Sequence, residues 1–171
     1  MHMKIITTFI FVFFTLFLNA QNLDYLKTRI DTIQFIVEKI NHCGVISSYA
    51  TGPAPLPAKQ YIRFIYLLTL ANNDELINIS QKEKSCMRVY AYMALYHNKY
   101  YQLDRIAKEL QNDTTQIETI SGCIIKKYSV ADLVTHINYF YAEEKTNEYL
   151  TYFRSNGKFK METFINIIST P

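Results

Sequence analysis

Apolar positions along this chain recur mostly at steps of three and four, the period of a helix. In Ser85–Asn98 (SCMRVYAYMALYHN) they fall all round the helical wheel, and between Met87 and Tyr96 only Arg88 carries a charge. A helix of that kind must be covered on most sides, so the segment predicts the central helix of an all-helical core, opened by Ser85 as its cap. Ala58–Ala71 reads the same way through Tyr61, Ile62, Phe64, Ile65, Leu67 and Leu68. Other segments carry one-sided stripes. Leu23, Leu26, Ile30, Ile33, Val37 and Ile40 predict an amphipathic helix that ends near His42-Cys43-Gly44, with Gly44 as a left-handed cap residue. Leu103, Ile106, Ala107 and Leu110 predict another, and Val130, Leu133, Val134, Ile137 and Tyr141 share a later face. Glu143–Ser155 reads as a more polar helix stopped by Asn156-Gly157, and Met161, Phe164, Ile165 and Ile168 form a last stripe.

Three capping signals punctuate these segments. Asn72 and Glu75 have capping-box spacing before the short helix around Leu76, Ile77 and Ile79. Thr115-Gln-Ile-Glu118 is a capping box by residue type, and Ser129-Val-Ala-Asp132 looks like a further start. Residues 45–58 break the pattern. Three of the four prolines lie in Thr51–Pro57, which predicts a surface loop of extended character. Gln116–Ile125 has two readings. The capping box favours helix, whereas Ile117, Thr119 and the Ile124-Ile125 pair favour strand; the helical reading is preferred.

The N-terminus changes the picture of where the protein works. Lys4 supplies a positive n-region, Ile5–Leu18 is an apolar run broken only by threonines, and Leu18-Asn19-Ala20 offers a cleavage site. Residues 1–20 are expected to be a cleaved secretory signal, which makes the mature protein periplasmic or secreted. Residues 21–171 are expected to form a single all-α domain. Its 151 residues suffice for a proper core, and only four Gly and four Pro in the whole chain argue against a turn-rich sandwich or barrel. Loss of Lys4 lowers the formal charge from +3 to +2, too little to argue for nucleic acid. No later apolar run approaches membrane-spanning length, so no membrane contact is expected after the signal is removed.

A shift of 30 residues lays Leu76, Met87, Ala91 and Leu95 over Ile106, Ile117, Ser121 and Ile125, apolar on apolar and small on small. On these residues, with Arg88, Ala94 and the turn residue Asp113, the stretch resembles the HEAT-type helical hairpin. The 74–132 stretch also resembles a group of uncharacterised exported proteins of Bacteroidetes bacteria, through Arg88, Tyr90, Ala91, Gly122-Cys123 and Cys43-Gly44. The resemblance implies HEAT-like hairpins over about 58–141, in a short right-handed α-α superhelix or an irregular helical bundle. It implies a structural role for Arg88 and no catalytic residue. Under the repeat, Cys86 and Cys123 stand about 10 Å apart along the helix axes and a further 8–10 Å sideways. That is beyond the roughly 7 Å Cα separation of a disulfide, so no bridge is expected between them.

Candidate chemistry is sparse. His42-Cys43 invites a thiol nucleophile, Cys43 or Cys123, with His97 or His136 as base; a half-buried turn cysteine explains the same residues. Neither Cys-x-x-Cys nor His-Glu-x-x-His is present, so neither metal nor cofactor is expected. Tyrosine is the unusual abundance, fourteen with no Trp. Tyr92, Tyr96, Tyr100 and Tyr101 are the candidate contact residues, for another protein or a surface glycan. The expected function is an exported, non-catalytic binding module of helical-repeat type, with a small cysteine enzyme as the alternative.

Overall fold

A computed structural model describes residues 27–51 and 56–155. The expected signal over residues 1–20 and the stripe from Met161 to Ile168 lie outside the described residues. The chain divides into two units, Met1–Phe35 and Ile36–Pro171. In the first, residues 27–35 are helical. This helix, α1, runs through residues 27–43, and everything that follows belongs to the second unit.

The order after α1 is β1 (Val45–Thr51), β2 (Leu56–Pro57), α2 (Lys59–Leu70), α3 (Asn73–Lys82), α4 (Ser85–His97), α5 (Leu103–Leu110), β3 (Gln116–Gly122), β4 (Ile124–Ser129), α6 (Val130–Thr135), α7 (Ile137–Phe140) and α8 (Glu143–Ser155). The expected all-α fold is therefore wrong: this is a mixed α/β fold. One four-stranded sheet has the order β2-β1-β3-β4, parallel between β1 and β3 and antiparallel elsewhere.

Two misread stretches build the sheet. Val45–Thr51 and Leu56–Pro57, expected in a surface loop of extended character, are instead paired as β1 and β2. Gln116–Ile125 is a hairpin, not the second helix of a repeat. Its local chemistry explains this. Asp113 Oδ1 accepts the Thr115 N–H at 2.9 Å, a side-chain turn that turns the chain without starting a helix. Ile117 and Thr119 then alternate inward against outward Gln116 and Glu118, the period of a strand. Gly122, at φ +57°, supplies the positive φ that a two-residue hairpin turn needs, and Ser121 pairs with Ile124 across it. The expected all-α superhelix over 58–141 is overturned by this hairpin, although α3 and α4 do pack against each other as two helices.

The core forms around α4, as its all-round apolarity predicts. Met87, Tyr90, Ala91, Met93, Ala94 and Leu95 are fully buried. Phe64 of α2 stacks on Tyr90 with ring centroids 5.5 Å apart. From α8, the Thr146 hydroxyl lies 2.6 Å from that of Tyr61 on α2. The capping boxes at Asn72–Glu75 and Ser129–Asp132 form as read. Ser85 does not cap α4; Lys84 holds that position with no side-chain bond. Gly44 is left-handed at φ +68°, and its N–H returns to the Ile40 carbonyl. Arg88 and Asp113 meet at 2.8 Å, and Arg88 Nε also donates to the Ser80 carbonyl at 3.0 Å. One side chain thus ties α3, α4 and the approach to β3 together.

Candidate functional site

Two concavities contain the residues with chemical interest. The larger, of about 490 Å³, opens where the inner face of the sheet runs out beyond the helices. Its floor follows from strand alternation and register. Ile46 of β1 lies beside Thr119 of β3, and Thr119 pairs with Lys126 of β4; Ser121 pairs with Ile124. These side chains share one face because partners across a sheet point the same way. The opposite wall comes from the α6–α7 break, through His136 and Phe140. Tyr128 closes one end, its ring edge-on to Phe140 at 5.0 Å. The lining is mainly apolar, with the hydroxyls of Ser48, Thr119 and Ser121 and the ammonium of Lys126 among it.

Strand β4 borders this groove and is the end strand of the sheet. Among the described residues, β3 pairs with it on one side and no strand on the other. Ile124 and Ile125 point to opposite faces and are 60% and 65% exposed. Lys127 reaches its cross-strand neighbour Glu118 at 3.5 Å, whereas Lys126 has no ion pair among the described residues.

The smaller concavity, of about 310 Å³, lies at the end of α4 and is lined by Tyr96, His97, Lys99, Tyr100, Leu103, Tyr141 and Glu143. Of the four candidate tyrosines, Tyr96 and Tyr100 come together here. Tyr92 is buried and Tyr101 projects into solvent, 83% exposed. Most of the polar capacity is already engaged. The Tyr96 hydroxyl donates to Asn138 Oδ1 at 2.6 Å, and His97 Nδ1 is hydrogen-bonded to the Tyr141 hydroxyl. Burial pushes the Tyr141 phenol up to about 12. These tyrosines close the end of the helical core, which is the plain reading of their abundance.

The C-terminus of α4 carries a local cost. Tyr100 N–H bonds the Leu95 carbonyl and Lys99 N–H that of Tyr96, the Schellman pattern, with Lys99 at φ +52° in the place glycine usually takes. Replacing Lys99 by glycine should therefore stabilise the fold by about 0.5–1 kcal/mol, read by urea denaturation. A destabilised variant would mean that the Lys99 side chain contributes more than its backbone costs.

The three cysteines are unbridged: Cys43 and Cys123 are exposed and Cys86 is buried. Cys123 sits at the turn of the β3–β4 hairpin, not in a helix. Among the described residues, no base is hydrogen-bonded to the thiol of Cys43 or Cys123. Burial pushes the Cys86 thiol up to about 12, which suits a packed thiol and not a nucleophile. The described residues contain no cluster of three or more His, Cys, Asp or Glu able to hold a metal ion.

The groove was missed from sequence because its floor lies in the two misassigned stretches. The alternation of Ile117 and Thr119 was the available signal. Compared with protein-family models, curated proteins and solved structures, the chain matches none.

Proposed function

We propose that the chain is an exported, non-catalytic binding module that captures an extended polypeptide segment along β4, over the groove. The observation that carries this reading is an open edge strand directly bordering a groove of about 490 Å³. Edge strands present a row of unpaired N–H and C=O groups, and an added strand satisfies them while alternate side chains fill neighbouring pockets. Apolar residues of the captured segment would lie beside Ile124 and Tyr128 of β4. An acidic residue would reach Lys126, whose ammonium has no carboxylate partner among the described residues. Lys126 also disfavours a second copy of this chain, since two β4 strands side by side would bring the two copies' Lys126 ammonium groups together. Among the described residues no helix is long and apolar enough to cross a membrane.

The test uses a synthetic peptide whose alternate, groove-facing positions read valine, glutamate, valine, with threonine at the positions between, titrated into the full chain. Binding should weaken at least tenfold with Lys126→Glu, the order expected for losing one charge-assisted contact and gaining a repulsion. Methylation of alternate peptide nitrogens should abolish it, because the added strand then cannot donate. Binding that is indifferent to that methylation would overturn strand addition. Capture of a medium-chain carboxylate without any peptide binding would reassign the groove to a small amphipathic ligand. Export is tested separately, by whether residues 1–20 carry a fused reporter out of the cytoplasm.

A further inference from the structure

The corner between α1 and β1 is held against the start of α4 at two points that bracket Cys43. On one side of it, Asn41 Nδ2 donates to Glu83 Oε2 at 2.8 Å. On the other, the Cys86 thiol donates to the Val45 carbonyl at 3.2 Å. Gln60 Nε2 grips the same corner, donating to the carbonyls of Ile40 at 3.2 Å and Val45 at 3.0 Å. Segment 41–45 thus runs alongside segment 83–86, anchored before and after Cys43. Gly44 makes the turn between the two anchors at φ +68°.

We propose that Cys43 and Cys86 form a disulfide under oxidising conditions, joining the end of α1 to the start of α4. Cys43 lies near the buried thiol: burial chiefly raises Cys86, and a negative charge on Cys43 raises it further. Their exposures assign the order of events. The exposed Cys43 thiolate attacks an oxidant disulfide, forming a mixed disulfide and releasing one thiolate. The buried Cys86, deprotonated, then attacks the Cys43 sulfur and displaces the second. Both cysteines are oxidised, the oxidant disulfide is reduced to two thiols, and the two cysteine protons end on them. Because burial suppresses the Cys86 thiolate, the second step is slow at neutral pH and accelerates with alkalinity. Cys123, at the hairpin turn, is left as a free thiol. This inference does not depend on the peptide-binding reading.

The experiment incubates the full chain with oxidised glutathione at mildly alkaline pH, where the second step is not held back, then denatures it, alkylates remaining thiols and maps the peptides by mass spectrometry. The expected product has lost two hydrogen atoms, contains one linked pair joining the Cys43 and Cys86 peptides, and alkylates or carries glutathione only at Cys123. Its melting temperature should exceed that of the reduced protein by roughly 5–10 °C and return on addition of dithiothreitol. Cys86→Ser should stop at a stable mixed disulfide on Cys43, whereas Cys123→Ser should still form the bridge. Three alkylatable thiols after prolonged oxidation, a lasting glutathione adduct on Cys43 in the unmutated chain, or a bridge to Cys123 would each overturn the proposal.

Discussion

Tyr90→Ala should destabilise the protein by about 3–5 kcal/mol, a large part of the roughly 5–15 kcal/mol that a domain possesses. Tyr90 is fully buried, stacks on Phe64, and accepts the Ser47 N–H through its hydroxyl at 3.0 Å. Truncation removes the ring from the centre of the core and also leaves a strand N–H of β1 without its acceptor. Tyr90→Phe separates the two effects. It keeps the ring and deletes only the hydroxyl, so its cost is that of one buried unsatisfied donor, about 1–3 kcal/mol. Urea unfolding of the two variants reads both numbers. A loss below about 1 kcal/mol for the alanine variant would be incompatible with α4 lying at the centre of the packing.

Alkaline pH should unfold the reduced protein well before backbone chemistry intervenes. Burial raises the phenols of Tyr61 and Tyr141 from 10.0 to about 12, in Tyr61 against the lowering effect of its Thr146 hydrogen bond, and raises Tyr90 further still. Burial likewise raises the Cys86 thiol from 9.0 to about 12. In each case the folded state holds a proton that the unfolded chain releases at lower pH. Between the two values the unfolded chain binds fewer protons, so stability falls as pH rises. Stability from this source is complete below pH 9, starts to decline as unfolded Cys86 ionises, falls steeply above pH 10, and is lost as pH passes the folded values near 12. Thermal melts across this range should trace that course, with tyrosinate absorbance appearing together with unfolding. Absorbance rising while the melting temperature stays constant would show that these hydroxyls ionise in place and are not sealed in the core.

Much of the helical frame was legible because its signals are local. Asn72 with Glu75 and Ser129 with Asp132 are capping boxes in sequence and in structure. Gly44 ends α1 because only the residue after a helix needs its left-handed φ so often. Glu143 opens α8, the start its polarity suggested. Thr115–Glu118 had the same spacing but failed, since Asp113 had already taken the Thr115 N–H. Spacing identifies residues able to cap and says nothing of a competing acceptor two positions upstream. Of the candidate site, the tyrosine group was visible as composition, but only Tyr96 and Tyr100 converge. A helix sends residues 92, 96, 100 and 101 in directions that depend on where the helix ends, and Lys99 ends it between them.

From the residues alone came the export expectation, the buried character of Ser85–His97, and most of the helix ends. Each depends on chemistry within one or two turns of chain. Tertiary structure alone decided that Val45–Thr51 and Gln116–Gly122 are neighbours in a parallel pair. A β-strand buries its backbone polar groups against a partner, and here that partner lies some seventy residues away, so no local window contains the reason for either strand. The groove and the open edge of β4 both follow from that one long-range pairing.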